Sequence, residues 1–206
     1  GLAARALEHF EHQTTDLAPD IMRQPIAAYI DKTRYQAERE GIFKQLPLAL
    51  ALSIELPKPG DYKAMTVLET PIILSRNQDG QVKCFLNACR HRGSRLCDDG
   101  CGAARVFSCP YHAWTYDRDG ALIGRYGAET FGEVDPADFH LTELPCAERC
   151  GLIWVTLTPS QPMDIDAWLG EFAAELDTLA LADWHLHEVR VLDGPGWKVT
   201  MDGYLE

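Results

Sequence analysis

The chain has 206 residues, 46% of them hydrophobic and 24% charged, with a formal net charge of −12 at pH 7. That is ordinary globular composition, and the acidic balance argues against a nucleic-acid binder, which needs a basic surface for phosphates. No stretch approaches the roughly 20 apolar residues of a membrane helix, so no membrane partner is expected.

The start, Gly1-Leu-Ala-Ala-Arg5, lacks the basic segment and apolar core of a signal peptide. The missing initiator Met points to a start that was removed or lies upstream. Seven cysteines, an odd number in a chain that does not look secreted, speak against a complete disulfide framework. A reducing, cytoplasmic setting follows, in which regularly spaced Cys and His read as metal ligands.

Residues 1–45 read as a helical arm, with Ile21, Ile26, Tyr29 and Ile30 at helical spacing and a polar run over 35–43. Pro47, Pro57, Pro59 and Gly60 break that pattern. Short β-branched runs follow at 65–69, 72–76 and 82–86, the last two separated by Asp79-Gly80, a hairpin signal. A second Asp-Gly pair, Asp119-Gly120, separates 114–116 from Leu122, and 152–157 is the most strand-like run. Together these predict an all-β unit over about 61–158. Beyond Pro159 and Pro162, Ile165, Trp168, Leu169, Phe172, Leu176 and Leu179 predict an amphipathic helix, with Asp164 as its N-cap. Val189 and Val191 then alternate like a strand.

The central signal is Cys89-Arg90-His91, seventeen intervening residues, then Cys109-Pro110-Tyr111-His112. In a Rieske [2Fe-2S] centre two Cys hold one iron and two His hold the other. Each loop must then supply one sulfur and one nitrogen, and the Cys-x-His and Cys-x-x-His spacings let one short turn reach both irons. Gly93 allows a sharp turn and Pro110 stiffens the second loop. The competing reading is a Cys2His2 zinc site. Zinc fingers keep the Cys pair and the His pair together, whereas here each half is mixed.

Asn87-Ala-Cys-Arg-His-Arg-Gly-Ser94 and Cys109-Pro-Tyr-His-Ala-Trp-Thr-Tyr-Asp-Arg-Asp-Gly120 resemble the Rieske domain of ring-hydroxylating oxygenase α subunits. Pro59-Gly-Asp-Tyr62 resembles the entry to that domain, and Cys150-Gly-Leu-Ile-Trp-Val-Thr-Leu157 its exit strand. Trp197-Lys198 with Asp202-Gly-Tyr-Leu-Glu206 resembles the start of the catalytic motif, so the resemblance runs from about residue 20 to the end.

It implies a mainly β Rieske domain at 46–160, a helical arm at 1–45 belonging to the catalytic domain, and the truncated beginning of an α+β catalytic domain at 161–206. It further implies a terminal oxygenase that hydroxylates or demethylates an organic substrate with O2, as in aromatic hydrocarbon catabolism. Electrons would come from a flavin reductase, alone or with a ferredoxin, and pass through the cluster to a mononuclear Fe(II) whose ligands lie outside these 206 residues. The implied assembly is a homotrimer, with or without a β subunit. Glu206 matches the carboxylate that bridges His112 of one subunit to an iron-ligating His of the next. Trp114 stands where the family places an aromatic against the cluster. Arg92 stands where a hydrogen bond near the cluster or across a subunit boundary is expected.

Respiratory Rieske proteins carry an extra Cys in each loop, and Ser94 and Tyr111 occupy those positions here, which points to the low-potential branch. The remaining alternative is a stand-alone Rieske electron carrier with unusual extensions.

His9, His12, His140, His185 and His187 read as surface residues, and Cys97, Cys101, Cys146 and Cys150 as free thiols. Cys84 reads as strand core, and Trp168 with Phe172 as helix core.

Overall fold

A computed structural model describes residues 1–205. The chain divides into two units: Tyr35–Leu192, and Gly1–Arg34 with the segment from Asp193 onward.

The larger unit is built on short antiparallel strands. In chain order they are β1 (Leu48–Leu52), β2 (Asp61–Val67), β3 (Thr70–Arg76), β4 (Val82–Leu86), β5 (Gly100–Ala103), β6 (Phe107–Ser108), β7 (Thr115–Tyr116), β8 (Leu122–Gly124), β9 (Glu143–Leu144), β10 (Cys146–Arg149) and β11 (Leu152–Val155). They form a five-stranded sheet, β5-β2-β3-β4-β9, and two three-stranded sheets, β1-β11-β10 and β6-β7-β8.

β3 is the hub, and its sequence explains why. Ile72, Ile73 and Leu74 are all fully buried, although adjacent residues of a strand point to opposite faces. Ile72 and Leu74 pack with Cys84, Leu144, Ile153 and Val155, between this sheet and β1-β11-β10. Ile73 packs on the other face with Phe85, Trp114, Tyr116, Cys89 and Cys109. Each such aliphatic side chain contributes about 1.5–3 kcal/mol on burial, and the hub thus ties the site-bearing sheet to the rest of the unit.

The two Asp-Gly pairs lie in twin hairpin loops. Asn77 Oδ1 accepts the amides of Asp79 and Gln81, and Asp117 Oδ1 accepts those of Asp119 and Ala121. Gly80 and Gly120 both sit at a φ near +80°, which favours glycine. The loops are joined by Asn77 Nδ2 donating to Asp119 at 2.8 Å and Arg118 donating to Gln78 at 2.6 Å. Arg76, close by, forks onto Glu148 of β10 at 2.7 and 3.0 Å.

Three expectations are corrected. The N-terminal arm is not continuously helical. Its helices are α1 (Leu2–His12), α2 (Ala27–Ile30) and α3 (Lys32–Glu38), the last continued by a π turn at Arg39–Phe43. Pro19 and Pro25 fall in the non-helical stretch between α1 and α2.

The amphipathic segment forms two short helices, α4 (Ile165–Leu169) and α5 (Phe172–Asp177), because Gly170 turns the chain at a φ of +51°. Asp164 caps α4 by accepting the Ala167 amide at 3.0 Å, as expected. The break rotates the apolar stripe: Leu169 and Ala173 are buried against Trp154, whereas Trp168 and Phe172 are exposed rather than core. Val189 and Val191 are exposed and form no strand, and His185 and His187 lie exposed in the same extended stretch.

In the smaller unit, α6 (Trp197–Leu205) meets α2. Lys198 donates to the Ala28 carbonyl, and the Tyr29 hydroxyl donates to Asp202 at 2.7 Å. Among the described residues no helix is long and apolar enough to cross a membrane.

Candidate metal centre

The four expected ligands come from two loops with the same backbone plan. In the first, the Cys89 amide donates to the Ser94 carbonyl at 2.8 Å, and the Gly93 amide donates to the Cys89 carbonyl at 2.8 Å. In the second, the Cys109 amide donates to the Trp114 carbonyl at 2.8 Å, and the Ala113 amide to the Cys109 carbonyl at 2.9 Å. The residue four after each cysteine is left-handed, Gly93 at φ +73° and Ala113 at φ +52°. Each loop thus curls around its cysteine and turns the intervening amides inward.

Those amides reach the sulfurs. Burial opposes the thiolate at both. At Cys109 the amides of His112 and Tyr111 outweigh it and hold the thiol below its ordinary value. At Cys89 burial prevails over the Tyr116 hydroxyl and the His91 amide, and the thiol stays above it. The two thiols interact with one another.

The imidazoles form the other end. The His91 and His112 rings lie 4.9 Å apart. Nδ1 of His112 is buried and has no hydrogen-bond partner, the state of an atom kept for a metal. Burial first, then the neighbouring His112 and Arg92, keep His91 on the neutral side that a ligand requires. Among the described residues no three His, Cys, Asp or Glu side chains converge on a point that a single ion could occupy. The arrangement is two thiols at one end and two imidazoles at the other. It fits a two-iron cluster better than one tetrahedral zinc. When bound, such a cluster supplies one-electron chemistry.

Of the other expected positions, Trp114 is 2% exposed and stacks on His91, centroids 4.9 Å apart and planes 10° apart. Phe131 closes the edge of both rings. Arg92 is exposed. Glu206 lies outside the described residues. Of the remaining cysteines, Cys97 packs against the core that contains Cys89 and Cys109, and burial pushes the Cys97 and Cys146 thiols up to about 11 and about 12.

Two contributors escape sequence reasoning. Tyr116 places its hydroxyl 3.4 Å from the Cys89 sulfur. Asn87, fully buried, uses Oδ1 to accept the amides of Leu96 at 2.9 Å and Cys97 at 3.4 Å, and Nδ2 to donate to the Cys97 carbonyl at 2.8 Å. It staples the base of the first loop.

Comparison with known proteins agrees with this geometry. Residues 47–131 match the Rieske [2Fe-2S] domain family. The chain carries a Rieske domain. The surrounding sequence is related to the oxygenase subunits that contain one. Chlorobenzene dioxygenase subunit alpha of Cupriavidus sp. (strain PS12) is 37% identical over 150 residues, covering 72% of this chain and 33% of that protein. The glycine betaine monooxygenase oxygenase subunit of Chromohalobacter salexigens is 31% identical over 219 residues, covering 100% of this chain and 47% of that protein.

Among solved structures, the apo form of the quaternary ammonium Rieske monooxygenase CntA superposes with a TM-score of 0.83 at 29% identity. It covers 89% of this chain and 54% of that one. Naphthalene 1,2-dioxygenase from Rhodococcus sp. superposes with a TM-score of 0.70 at 34% identity, covering 75% and 36%. The chain therefore spans a third to a half of the length of these relatives.

Proposed function

We propose that this chain is the cluster-bearing part of a terminal Rieske oxygenase. In that role it accepts electrons from a flavin reductase, directly or through a ferredoxin, and delivers them to a mononuclear iron that activates O2. The observation that carries the reading is the extent of the likeness. The glycine betaine monooxygenase subunit aligns with the whole chain, well beyond the 47–131 that a cluster domain alone would account for. A stand-alone carrier would have no use for the added segments at 1–45 and 161–206, which we assign to a catalytic domain flanking the Rieske domain at 46–160.

The relatives divide by substrate. The aromatic dioxygenases cover 69–82% of this chain, and the quaternary ammonium oxygenases 88–100%. Coverage outside the cluster domain favours a methylated quaternary ammonium substrate, oxidised at a carbon next to nitrogen. The aromatic reading keeps the support of the 37% identity to chlorobenzene dioxygenase.

In this proposal Cys89, Cys109, His91 and His112 hold the cluster. Trp114 shields the His91 side from water, which tunes the potential. Glu206 accepts hydrogen bonds from His112 of one subunit and from an iron-ligating His of the next. That requires a closed ring of subunits, a homotrimer, with or without a β subunit. Five cysteines outside the cluster, none in a disulfide, and a reductant supplied from NAD(P)H suit the cytoplasm.

Metal analysis of the complete gene product tests the reading. It should contain two irons with two labile sulfides, and further iron without sulfide that chelators remove first. O2 uptake with glycine betaine or carnitine, against benzene or naphthalene, then separates the substrate classes. A protein holding only the cluster iron and consuming no O2 would be an electron carrier instead.

A further inference from the structure

We propose that the end of the larger unit remote from the cluster loops binds a phosphate dianion, free or borne on a phosphomonoester, with Arg105 and Arg118 as its ligands. The proposal rests on neither the electron-transfer reading nor the oxygenase reading.

β4 runs directly into the first cluster loop, so the hairpin at its start, 77–81, lies at the far end of the five-stranded sheet. There a cavity of about 440 Å³ opens between four separate segments. Pro59 and Gly60 come from the turn before β2, Gln78 from the β3–β4 hairpin, Ala104 and Arg105 from the β5–β6 turn, and Arg118 from the β7–β8 hairpin. The size is that of a small-molecule site.

Its charge is opposite to that of the chain, which has 31 acidic residues against 19 Lys and Arg. Two guanidiniums line the cavity and no carboxylate does. Arg76 and Arg149, by contrast, are forked onto carboxylates. Among the described residues Arg105 makes no ion pair, and the half-buried Arg118 donates only to the neutral Gln78 Oε1, at 2.6 Å. The acidic side chains of these segments are engaged elsewhere. Asp61 accepts the Lys58 amide at 2.8 Å, Asp117 the amides of its own hairpin, and Asp119 the Asn77 side chain. Asp79 lines a separate cavity beside Lys83.

The floor of the cavity is fixed before any ligand arrives. The Gly60 amide donates to the Arg76 carbonyl and the Gly60 carbonyl accepts the Ala104 amide, both at 2.9 Å. A Cβ on residue 60 would lie 3.2 Å from Arg118 Nη1 and 3.4 Å from the Ala104 carbonyl oxygen. Glycine thus lets the guanidinium rest on bare backbone, while Gln78 holds its orientation. Two like charges in one cavity are relieved by an anion that accepts from both. A tetrahedral dianion presents oxygens in more than one plane and can answer guanidiniums from different loops, whereas a carboxylate presents one plane. The cavity is larger than bare phosphate needs, which leaves room for the organic part of a phosphomonoester.

The test uses the complete gene product with its cluster loaded. Inorganic phosphate, glycerol 3-phosphate and malonate are titrated by calorimetry at one ionic strength. Four proteins are compared: wild type, Arg105→Gln, Arg105→Gln/Arg118→Gln, and Arg23→Gln/Arg190→Gln. The last removes the same charge at exposed positions outside the cavity. Visible spectra and gel filtration establish that each variant keeps its cluster and its assembly.

The expected result is one phosphate site per chain in wild type and in the Arg23/Arg190 variant. Binding should be at least about tenfold weaker in the Arg105/Arg118 variant, with a smaller loss for Arg105→Gln alone. Tighter binding of glycerol 3-phosphate than of phosphate identifies a phosphomonoester as the ligand, and the reverse identifies free phosphate. Absence of binding to wild type, or malonate binding more tightly than either phosphate, would overturn the proposal. So would unchanged binding in the Arg105/Arg118 variant, which would place the anion elsewhere, or an equal loss in the Arg23/Arg190 variant, which would reduce the effect to net charge. Dissociation of the assembly in the Arg105/Arg118 variant would also overturn it, by assigning the arginines to contact with another subunit.

Discussion

The Tyr116 hydroxyl lies 3.4 Å from the Cys89 sulfur and also accepts the Arg90 amide at 3.0 Å. With its lone pair engaged by that amide, the hydroxyl is free to donate to the sulfur. Such a bond strengthens as charge builds on the cluster, so it favours the reduced state. Tyr116→Phe should therefore lower the midpoint potential. If the bond differs between redox states by about 1 kcal/mol, the one-electron shift is about 40 mV. A spectroscopic redox titration of both proteins measures it, and an unchanged potential would mean that the hydroxyl only braces the Arg90 amide.

Asn87 closes a loop of ten residues with a side chain that has no contact with water. Asn87→Ala strands two amides and a carbonyl in the interior, at a cost of about 2–4 kcal/mol. Urea unfolding should show that loss together with a lower iron content after expression. A variant that keeps full stability and full iron would remove Asn87 from the account of how the ligands are positioned.

The cysteine–histidine pattern was legible in the sequence, and the groups packed around it were not. Cys89, His91, Cys109 and His112 stand out because a two-iron centre of the proposed kind would take one sulfur and one nitrogen from each turn, a constraint expressed within four residues. Asn87 and Tyr116 act on backbone and sulfur atoms that the fold brings to them, Tyr116 across 27 positions, and carry no spacing signal. The hairpins at Gly80 and Gly120 were legible for the same local reason as the ligands. The apolar periodicity from Ile165 to Leu179 runs unbroken through Gly170, but the positive φ of that residue ends one helix and starts a second in a new direction. In the arm at 1–45 the apolar spacing outweighed the two prolines that interrupt it.

The twin loops differ at one position in a way that substitution can expose. Ala113 adopts the backbone that glycine adopts at position 93. A left-handed non-glycine costs about 1–2 kcal/mol, and glycine returns about 0.4–1 kcal/mol of that through the unfolded state. Ala113→Gly should thus raise stability slightly, by about 0.5–1 kcal/mol, and Gly93→Ala should lower it by a similar amount. Chemical denaturation of the two single variants checks the opposite signs.

The fork of Arg76 onto Glu148 joins the two sheets that sandwich the second core. The arginine holds the Glu148 carboxyl below the usual range against the opposing effect of burial. Because the folded value is depressed, this contribution is fully present above the unfolded value of about 4.3. It drains away as pH falls through the folded value. Glu148→Gln should cost about 1–2 kcal/mol at pH 7, and the gap between wild type and variant should close below about pH 4. A gap that stayed constant down to pH 3 would place its origin outside the charge of Glu148.

The central claim is that the four ligands divide into a sulfur end and a nitrogen end of one two-iron cluster. Mössbauer spectroscopy of the iron-57-loaded, one-electron-reduced protein tests this most directly. Neutral imidazoles stabilise ferrous iron better than thiolates do. The account therefore predicts two iron sites in equal amount, the added electron localised on the one bound by His91 and His112 and the other remaining ferric with Cys89 and Cys109. A protein that takes up zinc in place of iron, or whose two irons are equivalent in ligand set, would contradict it.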